Sequence, residues 1–367
     1  MKILYDHLAF NQKYGGVPKY FIELILELRK IDKIEVKTSI PVTRNADVQK
    51  LKINYLNFPN FNFRGSSKIE RIIGNILTSF RLILSDFDIY HPTHYSNFGI
   101  KLLKLFKKNK TIVCTVHDMN YWVIPEFYTR KMVLRKRKQK YQMLHSDLII
   151  AVSYNTKNDI IRFYPQLHDK IVVAPHGFNN THGKSLKNVP DKYLLFVGTR
   201  NRYKNFDILL KAFSDVVHDI VDLKLVCVGK PFTYKELILQ QRLGIQSSVQ
   251  ILELDNKELS YVYKNASIFV FPSLYEGFGI PCLEAMSNNC RILASDIEIF
   301  KEICGDAIYY FNPHNLTELV AHLKHLLSTK ENKQQQKSNY QKVLDNFSWA
   351  KSAAIHYHSY SKLLKYE

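Results

Sequence analysis

The stretch PSLYEGFGIPCLEAM, residues 272–286, follows SIFVFPS (267–273), a short apolar and aromatic run that predicts a buried strand. Gly277 and Gly279 then open the backbone for close approach to a ligand. Pro281 suits the first turn of a helix, because its missing N–H is one the helix would leave unpaired anyway. A strand, a glycine turn and a helix start make an anion site, since free N–H groups and the helix dipole both point at it. Two carboxylates frame that site, Glu276 in the turn and Glu284 inside the predicted helix. An anion pocket flanked by carboxylates suits a ligand that joins phosphate to a polyhydroxylated sugar, because a carboxylate accepts from two vicinal hydroxyls at once.

The segment resembles the E-x7-E signature of the retaining nucleotide-sugar glycosyltransferases of family 4. The resemblance implies an α/β fold with two Rossmann-like domains facing a central cleft, the GT-B architecture. It implies that Glu276 lies near the donor sugar and is catalytic, and that Glu284 binds the nucleotide ribose. Gly277, Phe278, Gly279 and Ile280 would offer backbone N–H groups to the sugar and diphosphate.

Length and composition allow such a fold. With 367 residues and 46% hydrophobic content, the chain predicts two domains with ample core. No apolar run approaches the roughly 18 residues of a membrane span, and MKILYDHLAF leads into a strand, so no signal peptide is expected. Cys114, Cys227, Cys282, Cys290 and Cys304 are scattered without a C-x-x-C pair, which fits buried reduced thiols in a cytoplasmic protein. The net charge of +19 is uneven: residues 1–180 hold 29 Lys and Arg against 14 Asp and Glu, and residues 181–367 hold 23 against 19. KLLKLFKKNK (101–110) and RKMVLRKRKQK (130–140) carry basic clusters. Solvated helix faces explain one cluster; the bias of a whole half calls for an acidic partner.

Strand and helix patterns alternate in both halves. KILYDHL (2–8), IYHPTH (89–94), TIVCTVHD (111–118), DLIIAVS (147–153) and KIVVAPHG (170–177) are the strands expected in the first. KYLLFVGT (192–199), LKLVCVGK (223–230), VQILEL (249–254) and SIFVFPS are those of the second. Continuous apolar strands between helical stretches argue parallel sheets covered on both faces. The polar NNTHGKSLKNVPD (179–191) reads as a linker, and KENKQQQKSN (330–339) as a polar surface helix or loop. Domains are thus expected at 1–180 and 181–349. The resemblance adds that the first binds the acceptor, the second binds the donor, and a helix at 350–367 crosses back onto the first.

FVGTRNRYKNFDILLKAF (196–213) ends a strand at Gly198, and its helix should begin near Asn205 or Asp207. Arg200, Arg202 and Lys204 then lie at the carboxyl end of a strand, where open α/β sheets place ligands. In the resembled family the matching motif binds the donor diphosphate and stabilises the leaving group. Lys204 is the match, and Arg200 fits a variant, R-x-x-Y-K-N, associated with O-antigen and capsule transferases. Arg202 stands as the alternative diphosphate contact. NQKYGGVPKYFIELILEL (11–28) sets Gly15 and Gly16 ahead of a helix, similar to the family's first glycine-rich loop, and is not a dinucleotide fingerprint. By the same resemblance Gly16 meets the donor, and His117 in VHDMNYW (116–122) contacts the donor sugar as a catalytic group. Asp118, His94, His176 and Gly15 are acceptor-site or supporting residues.

DFD (86–88) mimics a metal-binding D-x-D, but it precedes a strand at its amino end and reads as a polar lead-in. There is no H-E-x-x-H and no GxxxxGK[ST], so no metal and no other cofactor is expected. The expectation is a retaining, metal-independent glycosyltransferase using a nucleoside-diphosphate sugar, leaning to GDP-mannose. Its acceptor would be a glycan, or a polyprenyl-diphosphate-linked one, in bacterial surface polysaccharide (O-antigen or capsule) synthesis. Base recognition would come from backbone near Val228–Gly229 and Leu252–Leu254. Lys107, Lys108, Lys110, Arg135, Lys136, Arg137, Lys138 and Lys140 would dock the protein on the anionic inner face of the cytoplasmic membrane. A nucleotide-sugar 2-epimerase on the same fold is one alternative, for which no acid/base groups are identified. A basic nucleic-acid-binding protein is the other. It would lack any helix-turn-helix, zinc-finger or RNP pattern, so no nucleic-acid partner is expected.

Overall fold

The computed structural model describes residues 1–13, 15–57, 66–106, 110–129, 132–180, 183, 185–186, 188–330 and 332–365. Two units emerge, Met1–Gly177 with Ser348–Glu367, and Phe178–Phe347. Within the expected linker, Thr181, His182, Lys184 and Lys187 lie outside the described residues.

The first unit holds β1 (Lys2–Tyr5), β2 (Glu35–Thr38), β3 (Ile89–His91), β4 (Thr111–Val116), β5 (Leu148–Ala151) and β6 (Ile171–Val173). All pair parallel in the order β2-β1-β3-β4-β5-β6. The inner strands are buried on both faces, which is why they read as continuous apolar runs. β2 was absent from the expected strands; its sequence, EVKT, sits at the sheet edge and is only partly buried, so no apolar run marks it. The crossovers include α1 (Gly16–Leu28), α2 (Ser66–Leu84), α3 (Phe98–Phe106), α4 (Val133–Leu144) and α5 (Tyr154–Phe163).

The second unit holds β7 (Tyr193–Val197), β8 (Lys224–Val228), β9 (Val249–Leu252), β10 (Ile268–Phe271), β11 (Ile292–Ser295) and β12 (Tyr309–Phe311). They too are all parallel, ordered β9-β8-β7-β10-β11-β12. Its helices are α6 (Phe206–Val217), α7 (Tyr234–Arg242), α8 (Asn256–Asn265), α9 (Ile280–Ser287), α10 (Glu298–Cys304), α11 (Leu316–Ser328) and α12 (Lys333–Leu344). Leu194, Phe196, Leu225 and Val270 from the sheet close on Phe206, Leu210 and Phe213 of α6. β11 and β12 are additions to the sequence reading. So is the role of α12: its pattern is polar, yet Gln336 and Tyr340 are buried. Gln336 donates to the Tyr340 hydroxyl at 2.9 Å, which donates to the Cys290 carbonyl at 3.0 Å. All five cysteines are buried and free.

The last helix, α13 (Trp349–Leu364), belongs to the first unit and packs on α1. Its contact there is polar as well as apolar. His356 Nδ1 lies 2.7 Å from the Ser352 carbonyl, which can only accept, so Nε2 accepts from the Tyr20 hydroxyl at 3.0 Å. His91 bridges Tyr360 Oη (2.8 Å) and Thr115 Oγ1 (2.9 Å). Tyr20 meets the rings of His117 and His176 edge-on at 4.9 and 4.8 Å. Burial holds all four histidines in the neutral form: His117 falls to about 3, His356 to about 4, and His91 and His176 lie well below the ordinary range.

These groups regain protons only when the unit unfolds, so the unfolded state binds more protons below the ordinary histidine value of about 6.5. Stability should therefore fall as pH drops through that value toward the folded ones, by about 1.4 kcal/mol per pH unit for each histidine. Urea titrations at about pH 7.5 and about 5.5 should show a loss of several kcal/mol. A flat response would contradict neutral burial.

Candidate functional site

The strand order of the second unit reverses between β7 and β10. Connections leave in opposite directions there and open a crevice at the carboxyl ends of the strands, where such sheets bind ligands. The loops leaving those two strands, 198–205 and 272–279, are the two that the sequence singles out. They are tied together: Leu274 N donates to the Tyr203 carbonyl at 2.8 Å. Lys204 Nζ forms an ion pair with Glu276 Oε1, and Ser273 Oγ donates to the same oxygen at 2.7 Å. With side chains 15% and 13% exposed, the two charges are mostly withdrawn from water, and neither would be stable there without the other. The ammonium also lies 5.4 Å from the centre of the Phe271 ring.

Gly279 begins α9 with φ of +110°, and a Cβ there would come within 3.2 Å of Phe300. Pro281 stands in the first turn. The Phe278 ring is buried, edge-on to Phe347 at 5.5 Å, so it acts in packing. Glu284 accepts from the Tyr263 hydroxyl at 3.3 Å; burial and this carboxylate push the phenol well above its ordinary range.

Arg200 takes a different place. Its Nε donates to Glu236 Oε1 at 2.8 Å, and its Nη2 to the carbonyls of Lys230 and Pro231 at 2.6 and 2.8 Å. Glu236 also closes the capping box of α7 with Thr233. Arg200 Nη1 is buried without a hydrogen-bond partner. Arg202, by contrast, is exposed. The T-x-x-E spacing at Thr233–Glu236 was the available sign of this anchor, and the sequence reading passed over it. Asn205, expected as a side-chain cap, instead has φ of +54° and donates to the Pro313 carbonyl at 2.8 Å. The strand ends form a bare backbone ledge. Gly198 N donates to the Val228 carbonyl and Gly229 N to that of Leu252, each at 3.0 Å. A Cβ on Gly229 would come within 2.8 Å of the Gly198 oxygen.

In the first unit, His117 follows β4 with its Nε2 buried and unpartnered. Asp118 Oδ1 accepts from Asn120 N at 3.2 Å and starts the helical turn Asn120–Val123. His176 packs against Tyr20 and Trp349. His94 Nδ1 accepts from Tyr95 N at 2.9 Å. Gly15 and Gly16 open α1, and a Cβ on Gly16 would meet nothing within 4 Å. The DFD carboxylates hold the start of β1: Asp86 binds Lys2 Nζ at 2.5 Å, and Asp88 accepts from Lys2 N at 2.7 Å. That is the structural lead-in the sequence suggests. Among the described residues no group of three His, Cys, Asp or Glu is arranged to hold a metal.

Comparison with known proteins adds to this geometry. Residues 14–182 match the family model described as Glycosyltransferase Family 4, and residues 177–343 that of Glycosyl transferases group 1. The chain is 27% identical over 307 residues to O-antigen chain mannosyltransferase RfbU of Salmonella typhimurium, covering 81% of this chain and 83% of that protein. It is 26% identical over 356 residues to O-antigen chain mannosyltransferase B of Escherichia coli, covering 88% and 90%. Among solved structures, Anabaena HepE in complex with UDP and glucose has a TM-score of 0.72 at 16% identity, covering 98% of this chain and 99% of that one. At that identity the likeness concerns the fold.

Proposed function

This chain belongs to the glycosyltransferases that join a family 4 module to a group 1 module, and we propose that it moves a mannose-type sugar from a GDP-linked donor to a glycan acceptor in bacterial surface polysaccharide synthesis. The anomeric configuration is retained in this reading. The observation that carries it is the Lys204–Glu276 pair beside the Gly277–Ile280 backbone, at the strand-order reversal of the second unit. The names of the O-antigen chain mannosyltransferases support the sugar class, and the UDP complex of HepE supports a nucleoside diphosphate.

The second unit is then the donor side. A diphosphate competes with Glu276 for the Lys204 ammonium, and that competition frees the carboxylate to accept from sugar hydroxyls. Lys204 and the amides of Gly277, Phe278, Gly279 and Ile280 stabilise the charge that develops on the leaving diphosphate. Glu284 binds the ribose, Gly198 lets the donor approach the backbone, and Arg200 offers Nη1. The first unit is the acceptor side, with His117 toward the transferred sugar and Gly16 toward the donor. A phosphate oxygen of the leaving group takes the acceptor's proton. Neither the epimerase nor the nucleic-acid alternative gains support from these matches.

Peripheral attachment to an anionic membrane is part of the same proposal. Among the described residues no helix is long and apolar enough to cross a membrane. Lys107 and Lys108 lie outside the described residues. Lys110, Lys136 and Lys140 lie over the rings of Phe87, Trp122 and Tyr164 at 5.3, 5.0 and 5.8 Å, so part of the basic surface is held by its own unit. Ile72, Ile76 and Phe80 form an exposed stripe on α2, and Leu105, Phe106 and Leu134, beside the two basic clusters in sequence, are exposed as well.

Lys204→Ala should lower kcat by on the order of 10²–10³. Glu284→Ala should weaken nucleotide binding about tenfold or more, a change of about 1.4 kcal/mol. Unchanged kinetics and affinity in both variants, with normal melting, would remove the donor-site assignment. Turnover should survive excess EDTA; loss that magnesium or manganese restores would reinstate a metal. On flotation, the protein should bind vesicles containing anionic lipid, and salt should weaken binding as screening shortens from about 10 Å at 0.1 M to 3 Å at 1 M. Ile76→Asp with Phe80→Asp should reduce it. Equal flotation on neutral vesicles, unaffected by that pair, would show that no anionic membrane is read.

A further inference from the structure

Glu284, the carboxylate that the donor reading gives to the ribose, is held by a second helix. α8 follows β9 and starts on a capping box: Asp255 Oδ1 accepts from Lys257 N and Glu258 N, each at 2.8 Å, and Glu258 Oε2 accepts from Asp255 N at 3.0 Å. Further along α8, Ser260 Oγ donates to Asn288 Oδ1 at 2.5 Å, and Asn288 Nδ2 donates to the Glu284 carbonyl at 2.8 Å. One turn on from Ser260, the hydroxyl of Tyr263 donates to Glu284 Oε2 at 3.3 Å. α8 therefore meets α9 twice, once at its backbone and once at the Glu284 carboxylate.

The two links differ in what they fix. Ser260 and Asn288 fix the helix; Tyr263 fixes the charged end of one side chain. Glu284 is only half-buried, and the last torsion of a glutamate is broad when nothing holds it. A phenol suits the task. Burial first, then the charge of Glu284, push its pKa well above the ordinary range, so it stays protonated and donates. Tyr263 is 1% exposed and its ring lies edge-on to Phe269 of β10 at 5.3 Å. Phenylalanine would fill that space as well, and a buried hydroxyl without a partner is costly. The contact with Glu284 is what the hydroxyl adds. It takes only one of the roughly four acceptor positions of an ionised carboxylate.

We propose that Tyr263 is a positioning residue for the donor site: its hydroxyl holds the Glu284 carboxylate in the orientation that accepts the 2′- and 3′-hydroxyls of the ribose, and so sets how strongly the site prefers a ribonucleotide to a nucleotide lacking them. The inference rests on the donor reading above and adds to it a residue that acts through Glu284.

Calorimetric titration of the full chain with GDP and with 2′,3′-dideoxy-GDP tests this. The native chain should bind GDP about tenfold or more tighter than the dideoxy nucleotide, because only GDP offers hydroxyls to a charged acceptor. Tyr263→Phe keeps the ring and removes the donor. It should weaken GDP binding several-fold and leave the dideoxy nucleotide unchanged, which narrows the ratio of the two affinities. In a Glu284→Ala background the same substitution should not change the ratio further, since the phenol acts only through the carboxylate. Ser260→Ala, which removes the other link between the helices, should leave the native ratio in place. A native ratio in Tyr263→Phe, an equal loss for both nucleotides, or a further loss on top of Glu284→Ala would overturn the proposal. So would a Ser260→Ala variant that narrows the ratio as much as Tyr263→Phe does. A native chain that binds GDP and the dideoxy nucleotide equally would overturn the ribose role of Glu284 and this proposal with it. Failure of the native chain to bind either nucleotide would overturn the donor reading as a whole.

Discussion

Parallel strands cannot be joined by tight turns, so every strand but the last of each sheet is followed by a crossover that must lie on one face of the sheet or the other. Each sheet starts at an inner strand, β1 beside one edge or β7 nearer the centre, grows to that edge, and then returns to grow toward the other. At that return the loops leaving two neighbouring strands diverge, and no connection fills the space between them. This constraint, set by chain topology before any functional residue is considered, fixes where each unit can hold a ligand. In the second unit it brings Lys204 and Glu276 into contact from loops 72 residues apart. In the first it brings the loops holding Asn11 and His94 to one cavity.

The two reversals are built alike but carry different electrostatics. At the second, a cation is matched by a carboxylate, and glycines clear the backbone. A site of that kind can exchange one anion for another, which suits a diphosphate that must leave after reaction. At the first, Arg71, Arg135 and Lys138 line a cavity that no carboxylate lines among the described residues. The excess positive charge of residues 1–180 thus has a local meaning beyond a diffuse attraction to acidic surfaces. Arg135 and Lys138 line the cavity, while Lys136 and Lys140 on the same helix lie over aromatic rings.

Much of this was legible in the sequence, for identifiable reasons. Inner strands such as TIVCTV and IFVF are buried on both faces and announce themselves as apolar runs. The glycines, Pro281 and Glu276 lie within one short segment, where local backbone demands are readable. What escaped depends on partners distant in sequence. EVKT and YYF at sheet edges need only partial burial, so their composition does not mark them. Arg200 reads as a loop charge until Glu236 and two carbonyls 30 or more residues away are seen to hold it. The buried face of α12 rests on Gln336 and Tyr340, a polar pair that no hydrophobic pattern reveals.

The buried histidines limit what His117 can contribute. With its pKa lowered to about 3, the ring is neutral at pH 7, so it is neither an imidazolium acid nor a base strong enough to draw a proton from a hydroxyl. What remains is a hydrogen bond between a neutral imidazole and a neutral sugar group, and the unpartnered Nε2 is free to make it. In the proposed reaction, charge on the leaving group falls to Lys204 and the amides that open α9. Tyr20 enforces that division. Its hydroxyl is committed to His356, and its ring walls off both His117 and His176, so the neutral state of the histidines depends on how α13 seats against α1.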